Sequence, residues 1–161
     1  MTERHAYITG IGQSEIGVRL VRSPLLLTVD AVKEALAEAG LSIGQIDGVS
    51  TYPGRLSIMP GFSPVGADEL IDALGIRASW YAGGGEISSQ LGAVVAAACA
   101  VQAGLARHVI CFRTVYEAAA LARPEEYGPQ LRERAEGNSQ WFAPFNAFSA
   151  ATWTAQYAGD N

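Results

Sequence analysis

Ser79-Trp80-Tyr81-Ala82-Gly83-Gly84-Gly85-Glu86-Ile87-Ser88-Ser89-Gln90-Leu91-Gly92 decides the fold. An apolar strand, Ser79 to Ala82, runs into three glycines and then into a helix predicted over Glu86 to Ala103. Glycines at such a bend permit unusual φ angles and close backbone packing. They also present backbone N–H groups at a helix start, where an anion or a developing oxyanion is stabilised. The helix carries an apolar stripe of Ile87, Leu91, Val94, Val95, Ala98 and Val101, and small residues cover most of the rest. A helix apolar nearly all round is expected to be buried between layers. Gly104 ends it, and Val109 to Val115 reads as a continuous apolar, central parallel strand.

Working outward, Ala6 to Gly12 reads as a buried first strand ending in a glycine turn. Ser23 is the expected N-cap of a helix with Pro24 at its first position. Leu25, Val29, Val32, Leu36 and Ala39 recur at helical spacing up to Gly40. Asp47-Gly48 is a turn before a strand from Val49 to Tyr52, and Pro53 to Pro64 must be loop. Asp68 to Leu74 is a short helix stopped by Gly75. Strands alternating with helices predict an α/β fold with a parallel or mixed sheet. Residues 1–122 read as the α/β core. Residues 123–161, charged and then aromatic, read as the start of a loop or cap region, with a last helix from Ala150 to Tyr157.

The chain has 161 residues, 49% of them hydrophobic and 17% charged, enough for one domain with a core. A net charge of −5 without a basic stripe argues against a nucleic-acid partner. The run Val94 to Val101 is too short to span a bilayer, so no membrane span is expected. Cys99 and Cys111 lack any metal or redox spacing, and a cytoplasmic, reduced protein is the simplest reading.

Gly10-Ile11-Gly12-Gln13-Ser14-Glu15 follows the first strand, but Glu15 stands where a dinucleotide fingerprint needs its third glycine. An ordinary turn is the better reading. Glu86 is either a general base or an acid complementing the helix dipole. Ser88 and Ser89 either bind substrate or bond the backbone at the helix start. Cys99 lies about 20 Å along the helix from Gly85, at about 1.5 Å per residue, and Cys111 sits inside an apolar strand. Both read as small buried residues with no activating histidine beside them. Tyr81 and Tyr116 lie near strand ends, where a hydroxyl can reach a pocket.

The pieces Ala6 to Ser14, Ala31 to Leu41, Ile46 to Val49, the glycine-turn helix and Ala143-Pro144-Phe145 stand in the order found in the thiolase superfamily. The chain resembles the N-terminal half of its sterol-carrier-protein-X and lipid-transfer-protein branch, of the cysteine-less steroid side-chain aldolase type. The resemblance implies a thiolase-like layered α/β fold with a mixed, five-stranded-type sheet, of which this chain would supply the N-terminal half and the start of the loop domain. In that superfamily this strand-turn-helix carries a nucleophilic cysteine, and Gly85 aligns with it. Loss of the sulfur implies retro-aldol cleavage of a β-hydroxyacyl-CoA rather than Claisen chemistry. Gly83, Gly84, Gly85, Glu86, Ser88 and Ser89 would bind substrate. Catalytic acid and base groups are expected outside this chain. The resemblance further implies a homodimer through Ser79, Trp80, Tyr81 and Ala82, and a DUF35-type OB-fold partner. No metal or cofactor is expected besides the coenzyme A thioester that is the substrate. The alternative is a non-catalytic thiolase-like subunit that binds acyl-CoA or scaffolds a partner enzyme.

Overall fold

The computed structural model describes residues 5–55, 61–84, 89–123, 125, 126 and 128. In chain order it shows α1 (Pro24–Ala39), a 3-10 turn (Ile43–Gln45), β1 (Gly48–Thr51), α2 (Ala67–Leu74), β2 (Trp80–Gly83), α3 (Ser89–Ala103), β3 (Val109–Phe112) and α4 (Glu117–Leu121).

Local chemistry sets the helix ends. Ser23 Oγ accepts from Leu26 N at 3.3 Å, Pro24 occupies the first turn, and Gly40 closes α1 in the left-handed conformation. Glu69 reaches back to Gly66 N at 3.0 Å at the start of α2, and Gly75 closes that helix in the same way.

The three strands form one parallel sheet in the order β2-β1-β3, with Thr51 opposite both Gly83 and Phe112. Successive side chains of β1 face opposite ways. Val49 joins Val32, Leu70 and Ile76 in the core beneath α1 and α2. Ser50, wholly buried, donates to Ala93 O of α3 at 2.9 Å. The layers are therefore α1 with α2, the sheet, and α3. From central β1 the chain steps one way through α2 to β2, then back across through α3 to β3. Right-handed crossovers in opposite directions require helices on opposite faces, as found.

Asp47 gathers the amino ends of the strands. Its carboxylate accepts from Arg107 N and His108 N, each at 2.8 Å, and its carbonyl accepts from Ser79 N at 2.8 Å. Hydrogen bonds to an ionised acceptor are the stronger kind, so Asp47→Ala leaves two strand-leading amides without their partner. We expect a loss of about 2 kcal/mol, read as a melting point lower by about 4–8 °C for a chain of this size. An unchanged melting curve would remove Asp47 from this role.

Several expectations are corrected. The described residues hold a three-stranded, all-parallel sheet, and the expected five-stranded mixed thiolase-like sheet is not what they form. Ala6 to Gly12 is not a buried strand: it forms no ladder, and Tyr7, Ile8 and Ile11 are exposed. Its glycines serve close approach instead, since a Cβ on Gly12 would stand 2.0 Å from Ala31 O. Ile11 N and Gln13 N donate to Glu38 (2.6 Å) and Glu34 (2.8 Å) of α1. β3 is four residues long and lies at an edge of the sheet that the described residues form, because β1 takes the centre. Only Ala93, Ala97 and Ala100 of α3 are buried, while Leu91 and Val95 are exposed on its outer side. The helix predicted over Ala150 to Tyr157 lies outside the described residues, as does most of the cap region 123–161.

Candidate functional site

In open parallel sheets, ligands bind outside the carboxyl ends of the strands, where successive connections leave toward opposite faces. Here that place lies between β1 and β2, since α2 follows β1 on one face and α3 follows β2 on the other. Thr51 and Gly83 end the two strands side by side. Gly83 and Gly84 continue from β2, and Tyr52 to Arg55 continue from β1.

The two connections touch. A Cβ on Gly83 would lie 3.2 Å from Thr51 Cγ2 and 3.7 Å from Gly54 Cα. A Cβ on Gly54, which has φ +80°, would lie 3.3 Å from Gly84 N. At Gly54 and Gly84 backbone therefore lies against backbone, and at Gly83 the Thr51 methyl fills the space a side chain would need. Gly83 and Ser89 are exposed and Gly84 is half-buried. Ser89 has φ +74°, a left-handed conformation uncommon outside glycine. Such a backbone is found where packing or function holds it. Gly85, Glu86 and Ser88 lie outside the described residues.

Arg113, just past β3, crosses the top of the sheet. It donates from Nη1 to Tyr52 O at 2.8 Å and from Nη2 to Phe62 O at 2.7 Å. Its guanidinium lies 4.5 Å from the centroid of the Phe62 ring. Burial lowers its pKa, while Glu117 and Tyr52 pull it back up. An arginine so held stays cationic. Two buried polar atoms here, Thr51 Oγ1 and Arg113 Nε, have no hydrogen-bond partner. This arginine was not singled out in the sequence, because its carbonyl partners lie 61 and 51 residues away.

The tyrosines divide. Tyr116 is buried, and its hydroxyl lies 2.7 Å from Leu20 O and 3.0 Å from Arg22 O, with Arg123 Nη2 donating to it. Its hydroxyl is committed to these partners. Tyr81 is exposed on β2, beside half-buried Trp80 and Ala82. Ser79, exposed as a residue, is tied by Oγ to Leu105 O at 2.7 Å.

Cys99 is exposed rather than buried, on the outer side of α3. Cys111 is also exposed as a residue, but its Sγ lies 4.0 Å from Ala93 O, and burial pushes the thiol up to about 11. The thiolate is the reactive form. At pH 8 iodoacetamide should therefore alkylate Cys99 and spare Cys111, with Cys111 becoming reactive only as the pH approaches 11. Equal labelling at pH 8, read by peptide mass spectrometry, would contradict this placement.

A cavity of about 1120 Å³ lies on the other flank of the sheet, between the segment 5–17, α1, β3 and the inner side of α3. Gly83, Gly84 and Ser89 are not among its lining residues. Among the described residues no group of three or more His, Cys, Asp or Glu side chains is placed to hold a metal ion. No helix among them is long and apolar enough to cross a membrane.

No family model matches the chain. It is 30% identical over 158 residues to a steroid side-chain-cleaving aldolase of Thermomonospora curvata, a match covering 95% of this chain and 38% of that protein. It is 31% identical over 150 residues to the 17-hydroxy-3-oxo-4-pregnene-20-carboxyl-CoA lyase of Mycobacterium tuberculosis, covering 92% and 36%. It also resembles a chain of the solved Ltp2-ChsH2(DUF35) aldolase, with a TM-score of 0.61 and 28% identity over 96% of this chain and 39% of that one. The likeness in fold is thus to an aldolase chain. The chain spans under two fifths of the length of the relatives it matches.

Proposed function

We propose that the chain is part of a carbon–carbon lyase that cleaves a β-hydroxyacyl-CoA by retro-aldol chemistry, with a steroid side chain as the acyl group. The observation that carries this reading is the backbone-lined junction of the β1 and β2 carboxyl ends, in a chain about 30% identical to a steroid side-chain-cleaving aldolase. The reading places the chain with the lipid-transfer-protein aldolases. In the reaction a base removes the β-hydroxyl proton and the Cα–Cβ bond breaks. A ketone forms at Cβ, and the electron pair passes into the thioester as an enolate. Protonation at Cα then gives the shorter acyl-CoA.

Two features favour this route over a covalent one. Glycines occupy the bend, so no side-chain nucleophile is offered at Gly83, Gly84 or Gly85. Backbone donors at a helix start suit a thioester oxygen that gains charge only in the transition state. Gly83, Gly84, Gly85, Glu86, Ser88 and Ser89 form the substrate-binding set, with acid and base supplied from outside these residues. β2, at an edge of the sheet that the described residues form, with Ser79 to Ala82, is the proposed homodimer surface. A DUF35-type OB-fold protein is the proposed second partner, and the cytoplasm the proposed compartment. The reaction needs no metal or cofactor beyond the coenzyme A carried by the substrate.

The test incubates the full-length protein, with and without a co-expressed DUF35-type OB-fold protein, with a steroid β-hydroxyacyl-CoA. Ketone and shortened acyl-CoA should appear together, and faster with the partner present. Tight binding of intact thioester without cleavage in either case would favour the non-catalytic alternative.

A further inference from the structure

The junction of β1 and β2 is held from β3. Arg113 is the side chain that spans the distance, donating to Tyr52 O and Phe62 O, one on each arm of the connection that follows β1. Ser63 Oγ donates to Gly54 O between those arms, and both residues are buried. Gly54 in turn packs against Gly84 N with no room for a bulky side chain. The contacts form one series: β3, Arg113, the carbonyls of Tyr52 and Phe62, Gly54, and finally Gly83 with Gly84. We propose that Arg113 is a positioning residue, whose guanidinium fixes the arms 52–55 and 61–63 and thereby holds the Gly83–Gly84 backbone in place at the candidate site. This inference rests on the retro-aldol reading for its kinetic consequence, but its structural consequence stands apart from it.

The side-chain chemistry fits the task. A planar guanidinium can donate in two fixed directions at once while stacking on an aromatic ring. Lysine keeps the charge but supplies a single donor point on a flexible stem, so it cannot bridge both carbonyls with the same geometry. Arg113 Nε is buried and unpartnered, which leaves the anchoring to the two terminal nitrogens. Small displacements of groups that stabilise a transition state are costly: a shift of about 1 Å can lower a rate about 100-fold.

The experiment compares wild type, Arg113→Met and Arg113→Lys in the full-length protein with its OB-fold partner. It measures kcat and KM for the steroid β-hydroxyacyl-CoA and amide hydrogen exchange over residues 52–55 and 83–84. For Arg113→Met the expected result is a fall in kcat of about 100-fold, with KM unchanged because the lost interaction acts in the transition state. Exchange should accelerate at both segments while α1 and α2 keep their protection. Arg113→Lys should recover part of kcat and part of the protection. Wild-type kcat in a folded Arg113→Met protein, a change in KM alone, or unaltered exchange at residues 83–84 would overturn the proposal. If Arg113→Met does not fold, the lysine variant decides by the same readouts. If wild type itself cleaves nothing, the retro-aldol reading fails, and the exchange comparison still decides the positioning role.

Discussion

Gly61→Val should lower the melting temperature by about 6–12 °C, at about 2–4 °C per kcal/mol for a chain of this size. Gly61 has φ +75°, and a Cβ built on it would lie 2.5 Å from both C and O of Tyr116 and 2.7 Å from Glu117 N. Those are backbone atoms, so no side chain can swing aside. The same residue pair carries the hydrogen bond from Tyr116 N to Gly61 O at 2.6 Å. A left-handed conformation alone costs a non-glycine residue about 1–3 kcal/mol. The collision raises the expected loss above about 3 kcal/mol, a large share of a typical 5–15 kcal/mol margin. Gly44 supplies the control. Its added Cβ meets nothing within 4 Å, and its φ is not positive. Gly44→Ala should therefore be neutral or stabilising by up to about 1 kcal/mol. Equal melting points for the two variants would show that the 61–116 contact is not formed.

Gly85→Trp should abolish cleavage, by at least about 100-fold, while leaving the melting curve close to that of wild type. The argument is steric and belongs to the proposed site. A residue at the bend without a side chain leaves room for the substrate, and an indole would fill it. The outcome separates two roles for the glycines. If they serve folding alone, activity and stability fall together. If they line the substrate site, activity falls by itself. Full activity in Gly85→Trp would remove the bend from the site.

Where residues near in sequence decide the structure, the sequence could be read. Ser23, Pro24 and Gly40 delimit α1 because capping is local chemistry, and β1, α2 and β2 fall within a residue or two of their expected positions. Where the deciding partner lies far along the chain, the pattern did not suffice. Ala6 to Gly12 has strand-like composition, but its glycines approach the backbone of α1 and its amides go to Glu34 and Glu38. The apolar run at β3 shows that both faces suit burial, and this says nothing about which strand takes the centre. The all-round apolar α3 suggested burial on every side, yet one alanine stripe makes the sheet contact. At the candidate site the bend was legible as strand, glycine, helix. Arg113 and Asp47 were not, since each acts on carbonyls or amides brought close only by the folded sheet.

The most direct test of the account follows the stoichiometry of turnover with the intact protein and a steroid β-hydroxyacyl-CoA, with no free coenzyme A present. Retro-aldol cleavage predicts one ketone for each shortened acyl-CoA, and a protein mass that stays constant throughout. A requirement for free coenzyme A, or an acyl group found covalently attached to the protein during turnover, would contradict it.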